Sequence, residues 1–376
     1  MIRRTIESKL LSLAGQYPVI TVTGPRQSGK TTVSTKCFPE HLYLSLEDPD
    51  VREHARKDPR GFLAQAERMI IDEVQHVPDL VSYIQRVVDR NAGAGRFILT
   101  GSHQFSLTDI VSQSLAGRTA LISLLPFSLE ELREKSSYEH LIYRGFYPAI
   151  IDRNLNPTEA LSFYTDTYIQ RDLRDIREIR NLRQFESFLR LCASNVGQML
   201  NKTRMANDIG IDGKTVDAWI SVLEASYIIY LLPPHYKNFR KRIVKMPKLY
   251  FCDVGLASYL LGISTIEHVK SHPLKGMLFE NLVVVEKLKR KLNNVEPPSL
   301  YFFRDNTGNE VDLLEQDGTD VVSYEIKTTQ TLNSSLFKGL NFYKKLNPDN
   351  KRSVLIYAGR EKTDRYGHEC LPFWRV

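Results

Sequence analysis

The stretch Pro18–Thr32, P-V-I-T-V-T-G-P-R-Q-S-G-K-T-T, restricts what this chain can fold into more than any other. A β-branched apolar run enters a loop bounded by Gly24 and Gly29, and Lys30-Thr31-Thr32 open a predicted helix. Glycine, four residues, then Gly-Lys-Thr between strand and helix is the template of a phosphate-cradling loop. Its glycines let backbone N–H groups point inward at phosphate oxygens, and the following helix adds its positive end. Gly24, Pro25, Arg26, Gln27, Ser28, Gly29, Lys30, Thr31 and Thr32 are therefore expected to hold ATP. Lys30 is expected on the β- and γ-phosphates and the Thr31 hydroxyl on Mg²⁺.

Downstream, R-M-I-I-D-E-V-Q ends an apolar strand on Asp72 and Glu73. A hydrolytic site needs this pair, one carboxylate for Mg²⁺ and the second as general base for water. The strand Arg96–Ser102 ends in Thr100 and Ser102. Ser102 is a candidate to sense the γ-phosphate between the carboxylates; a hydroxyl closing a strand-to-helix turn is the plainer reading. Arg118 enters a fifth strand, either as an arginine finger in its own or a neighbour's site, which would imply a homo-oligomer, or as a surface ion pair. Strands alternating with helical stretches predict a parallel sheet with helices on both faces.

These motifs, G-P-R-Q-S-G-K-T-T, I-I-D-E-V-Q, I-L-T-G-S and L-A-G-R followed by L-P-F-S-L-E-E-L, resemble an AAA-type ATPase family. It is the archaeal-type branch near the STAND signalling ATPases. The resemblance implies an α/β fold: a parallel-sheet P-loop core over residues 1–126, a helical lid over 127–182, and a C-terminal domain of restriction-endonuclease type. It also marks Arg171-Asp172 as a family feature; as residues alone they read as an ion-paired helix face.

Past the lid, Ala206, Gly210 and Val216 have helix-turn-helix spacing: a small crossing residue, a turn glycine and an apolar anchor. Two strands follow, joined by a connection holding Lys237, Arg240, Lys241, Arg242, Lys245 and Lys248 and no acid between residues 235 and 248. That is a winged-helix layout over residues 183–252, with DNA bound through Lys214 and the basic wing and with Tyr236 or Phe239 stacking. Acids at Asp212, Asp217 and Glu224 make the second helix a poor phosphate surface, and a protein partner is the alternative.

In residues 253–376, a D-G turn joins E-V-D-L-L-E-Q to V-V-S-Y-E-I-K. Centred on that turn, a hairpin sets Asp312 opposite Glu325 and Glu310 opposite Lys327, all on one face. An Asp on one strand and Glu-x-Lys on the next resembles the metal site of the PD-(D/E)xK nucleases. That resemblance implies Mg²⁺ on Asp312 and Glu325, Lys327 polarising water, and Glu280 completing the shell. Val311 stands where the motif has proline; a solvated hairpin with cross-strand ion pairs is the plain alternative.

A net charge of +7 and pI near 9.0 permit an anionic partner. No apolar run reaches the 18 residues of a membrane span. The N-terminus lacks a signal-peptide core and reads as an amphipathic helix packed on the ATPase core. Cys37, Cys192, Cys252 and Cys370 lie too far apart for a zinc site or disulfide framework, as expected of a cytoplasmic protein. The whole points to a Mg²⁺-dependent ATPase that binds DNA, with cleavage left open. The competing class is an ATP-driven switch whose inert nuclease fold binds a protein.

Overall fold

β-Branched and aliphatic runs bounded by Gly, Pro and Asp form the strands, and the computed structural model describes residues 2–91, 93–102, 114–167, 181–235 and 245–376. The chain divides into two compact units. The first comprises Met1–Phe127 with two short returns, Ala225–Tyr227 and Lys289–Pro297. Its strands are β1 (Val19–Thr23), β2 (Leu42–Ser45), β3 (Met69–Asp72), β4 (Phe97–Gly101) and β5 (Thr119–Ser123). They form one parallel sheet in the order β2-β3-β4-β1-β5.

β1, β3 and β4 are buried along their whole length, because a parallel sheet of this kind is covered on both faces. Helix α1 (Glu7–Ala14) and helix α2 (Lys30–Cys37) cover one face, where Ile6, Leu10 and Val33 join Ile20, Val22 and Ile98. Helices α3 (Pro49–Lys57), α4 (Pro59–Ala64) and α5 (Leu80–Arg90) cover the other, where Phe62, Val81 and Ile84 meet Ile71 and Leu99. The N-terminal helix thus packs on the core as expected. Because the strands run parallel, every βα connection leaves the same edge of the sheet, and the phosphate loop after β1 and Asp72 at the end of β3 emerge at that edge with only β4 between them.

The second unit comprises Ser128–Glu224, Ile228–Leu288 and Pro298–Val376. Its first part is helical, and helices Lys202–Ile209 and Gly213–Ala225 meet at Gly210, which caps the first of them. Val216, Trp219, Ile220 and Leu223 are buried on the inner face of the second helix, and Trp219 packs edge-on against Phe185 and Phe188. Strands β6 (Ile229–Leu232) and β7 (Lys248–Phe251) then pair antiparallel.

The long helix Lys275–Asn293 precedes β8 (Leu300–Arg304), β9 (Glu310–Asp317), β10 (Asp320–Lys327), β11 (Asn350–Tyr357), β12 (Thr363–Arg365) and β13 (His368–Pro372). The sheet order is β12-β13-β11-β10-β9-β8, with β10, β11 and β13 mutually parallel and the β8–β9–β10 meander antiparallel. Helix Lys338–Leu346 makes the crossover from β10 to β11.

Of the expected domain boundaries, the one after residue 126 lies beside the division at Phe127/Ser128. Those after 182 and 252 fall inside the second unit, where buried hydrogen bonds sew the segments together. The Phe146 N–H donates to Asp253 at 2.8 Å, and the Phe251 N–H to the Asn281 side chain at 2.7 Å. Among the described residues no helix is long and apolar enough to cross a membrane.

Candidate active sites of the two units

The phosphate loop is shaped by close approach. A Cβ on Gly24 would lie 2.1 Å from the Leu124 carbonyl oxygen of the neighbouring strand connection, so only glycine fits. Gly29 starts α2 in the left-handed region at φ 91°. Lys30 is buried, and its ammonium donates to the Gly24 and Pro25 carbonyls at 3.0 and 2.8 Å. The guanidinium of Arg4, also buried, braces the loop by donating to Ser28 O at 2.8 Å and Leu125 O at 2.7 Å.

Asp72 ends β3 directly opposite this loop. The Thr31 hydroxyl lies 3.1 Å from both of its oxygens, Tyr43 donates to Oδ2 at 2.9 Å, and Thr100 donates to Oδ1. A hydroxyl and a carboxylate converging from α2 and β3 are an all-oxygen donor set, which fits Mg²⁺. Glu73 turns out of the strand with φ 53°. Its Oε2 accepts from Ser102 at 3.1 Å and from the Gln75 amide. Burial opposes its ionisation, but Lys30, the Gln75 amide, Arg26 and the Ser102 hydroxyl outweigh it and hold the carboxyl below its ordinary range. Ser102 therefore grips the Glu73 carboxylate, while Thr100 bonds the Asp72 carboxylate and accepts from the Glu73 backbone N–H at 3.4 Å.

In the second unit the β9–β10 register sets Asp317 opposite Asp320 and Leu313 opposite Tyr324, the pairing expected from the D-G turn. One step beyond, the Asp312 carboxylate accepts from the Ile326 N–H at 2.8 Å and from Lys327 at 2.9 Å. Lys327 also reaches Glu325 at 2.8 Å, so Asp312, Glu325 and Lys327 form one cluster. Glu310 does not meet Lys327; it pairs with Lys248 at 2.6 Å and Arg304 at 3.0 Å. The cluster lines a cavity of about 540 Å³ shared with Asn195, Gln198, Arg204, Met246 and Met277.

Burial, reinforced by the negative charge of Asp312, pushes the Glu325 carboxyl up to about 8, and its Oε2 is buried with no hydrogen-bond partner. Asp312 moves the other way: burial opposes its charge, but Lys327, Lys248 and the Ile326 N–H overcome that. The Glu325 shift has a consequence for stability. A carboxyl at 4.5 unfolded and about 8 folded contributes stability that is complete below pH 4.5 and lost as pH rises to about 8. Urea unfolding across that window should show the second unit weakening with pH, and Glu325→Gln should flatten the slope.

Residues 16–133 match the family model of an AAA domain, residues 135–267 a domain of unknown function (DUF8612), and residues 275–376 a domain of unknown function (DUF4143). The uncharacterized proteins Rv2008c of Mycobacterium tuberculosis and Mb2031c of Mycobacterium bovis are each 30% identical over 335 residues, covering 88% of this chain and 74% of theirs. The chain belongs to the family of these mycobacterial proteins. Among solved structures, the Walker-type ATPase PABY2304 of Pyrococcus abyssi is similar at 16% identity, covering 69% of this chain and 96% of its own, with a TM-score of 0.47. With the AAA match on the loop and carboxylates just described, the first unit is a P-loop ATPase domain.

Other expected residues lie elsewhere. Arg118 precedes β5, which runs parallel to β1, so it sits beside Val19 at the sheet edge opposite the phosphate loop. Its guanidinium pairs with Asp89 of α5. The finger reading within its own site is thereby corrected, and Arg118→Ala should leave ATP turnover at the wild-type level in a phosphate-release assay at low protein concentration; a loss that grows with protein concentration would mark a finger acting in a neighbour's site. Glu280 lines the same cavity as Asp312 and Glu325, where it accepts from Lys248 at 2.9 Å and Tyr250 at 2.6 Å. Among the described residues no group of three or more His, Cys, Asp or Glu is arranged around a metal position.

Lys248, read in the sequence as part of a basic connection, is 3% exposed inside this network. Lys214 and Lys245 are exposed. Lys237, Arg240, Lys241 and Arg242, with Tyr236 and Phe239, lie outside the described residues, as do Arg171 and Asp172. Arg4, Tyr43, Gln75 and Tyr250 were not foreseen as site residues. For Gln75 the signal was present in D-E-V-Q, where a polar residue two places after the base returns beside it once Glu73 turns the chain.

Proposed function

We propose that the chain is a Mg²⁺-dependent ATP hydrolase whose second unit works on DNA. The observation that carries the first half is the convergence of Thr31, Asp72 and Glu73 on the phosphate loop. Lys30 and the loop N–H groups bind the β- and γ-phosphates, and Thr31 with Asp72 holds Mg²⁺, which neutralises phosphate charge when bound. Glu73, fixed by Ser102 and Gln75, takes a proton from water as the water oxygen bonds to the γ-phosphorus and the bond to ADP breaks.

For the second unit, two features support contact with DNA. Helices Lys202–Ile209 and Gly213–Ala225 with the β6–β7 pair have winged-helix order, with Lys214 exposed at the start of the second helix. The order helix, three strands, helix, strand, with Asp312, Glu325 and Lys327 clustered, supports the nuclease-like reading. The orphaned Glu325 Oε2 beside Asp312 fits a divalent cation held by two carboxylates, with Glu280 on the wall of the same cavity.

Incubation of purified protein with labelled duplex and single-stranded DNA, with Mg²⁺ or Mn²⁺ and with or without ATP, tests this half. Cleavage abolished by Asp312→Ala and by Glu325→Ala is the expected result; no binding at low salt, where phosphate contacts are strongest, would falsify it. The compensation of Glu280 and Glu310 by Lys248 favours the second reading, an inert fold that binds a protein. It predicts ATP turnover with neither cleavage nor DNA binding.

A further inference from the structure

Resting on the ATP-hydrolase reading, we infer that Gln75 is a second water-holding residue of the hydrolytic site, receiving one hydrogen of the attacking water while Glu73 receives the other. Glu73 lies in the left-handed region, and the short 3₁₀ turn Val74–His76 follows at once. That sharp turn brings the Gln75 side chain back along the Glu73 carboxylate. The Gln75 Nε2 donates to Glu73 Oε2 and lies 3.4 Å from Ser102 Oγ, while Ser102 donates to the same Oε2 at 3.1 Å. Both donors converge on one oxygen, and Glu73 Oε1 accepts no protein hydrogen bond among the described residues.

The amide orientation follows from this contact, because the reverse would set the Gln75 oxygen against the carboxylate oxygen. Gln75 Oε1 therefore points away from Glu73 Oε2, and it is buried with no hydrogen-bond partner. A buried carbonyl without a donor is costly, and buried polar groups of this kind are normally completed by water. Here the orphaned acceptor lies beside a carboxylate poised to take a proton. One water bridging Glu73 Oε1 and Gln75 Oε1 donates a hydrogen to each, leaving its lone pair directed at the electrophile.

The step balances. The water oxygen bonds to the γ-phosphorus as the bond to the β-phosphate oxygen breaks, and ADP departs with the electron pair. One proton passes to Glu73. The other stays on the new phosphate, hydrogen-bonded to Gln75 Oε1. Glu73 alone would accept the proton but leave the water free to rotate about that one contact. Misplacement of this order costs about 10²-fold in rate.

Gln75→Met keeps the chain length and volume and removes both the donor and the acceptor. Phosphate release from ATP should fall about 10²-fold in kcat, with fluorescent-nucleotide affinity and melting temperature at wild-type values. If the Met variant does not fold, Gln75→Ala carries the same expectation. Wild-type kcat in either folded variant overturns the inference. So does a fall in nucleotide affinity that accounts for the whole loss, since that is the mark of a purely structural role. Wild-type protein that releases no phosphate would instead refute ATP hydrolysis itself, a separate result.

Discussion

Glu73→Gln should lower the turnover of ATP by about 10²–10⁴-fold, the range for loss of a general base. Nucleotide binding should survive, because the phosphates are held by the loop, Lys30 and α2, none of which the substitution touches. The amide keeps the shape of the side chain and can still accept from Ser102 through its oxygen, so the turn at φ 53° is preserved. What disappears is the anion, which Lys30 and Arg26 stabilise against the cost of burial. Steady-state phosphate release beside titration with a fluorescent nucleotide checks both halves. Turnover retained at the wild-type rate would mean that another group activates the water.

The second large effect is expected from Lys248→Met. The Lys248 ammonium lies 2.9 Å from Glu280 and 2.6 Å from Glu310, and Tyr250 donates to the same Glu280 oxygen at 2.6 Å. Burial opposes the lysine's charge, but Glu280 and its anionic neighbours more than compensate and raise its pKa. Removing one member of a buried ion pair leaves the other charge unpaired, at a cost of about 3–5 kcal/mol. Glu280 is buried and would have to take up a proton or water; Glu310 retains Arg304. Denaturant melts should show the variant weakened and Lys248→Met/Glu280→Gln restored in part, because the double variant leaves no full charge uncompensated at Glu280. Equal stability of the single variant and wild type would show that Glu280 is already neutral.

What was legible in the sequence was local. The glycines, Lys30 and Thr31 of the phosphate loop lie within a few residues of one another, as do Asp72 and Glu73, and strand-to-helix patterning places them together. The β9–β10 register was legible because a D-G turn leaves few ways to pair the flanking alternating runs. What escaped depends on partners distant along the chain. Lys248 meets Glu280 and Glu310 across segments that composition assigned to different domains, so its burial could not be read from a run of basic residues. Arg4 reaches Ser28 O and Leu125 O from a start that shows only alternating charge. Arg118 enters its strand where the sequence placed it, and the ion-pair alternative, with Asp89, is the one met; a finger in its own site fails because in a parallel sheet the residue entering a strand lies at the edge opposite the one where loops carry the chemistry.

Phosphate release from ATP by the purified chain, with Mg²⁺ and no added acceptor, tests the central claim most directly when run beside EDTA and Lys30→Ala controls. The account predicts ADP and phosphate in equal amounts from the wild-type protein with Mg²⁺, and neither product in the two controls. ATP left intact by the wild-type protein, or equal release from Lys30→Ala, would contradict it.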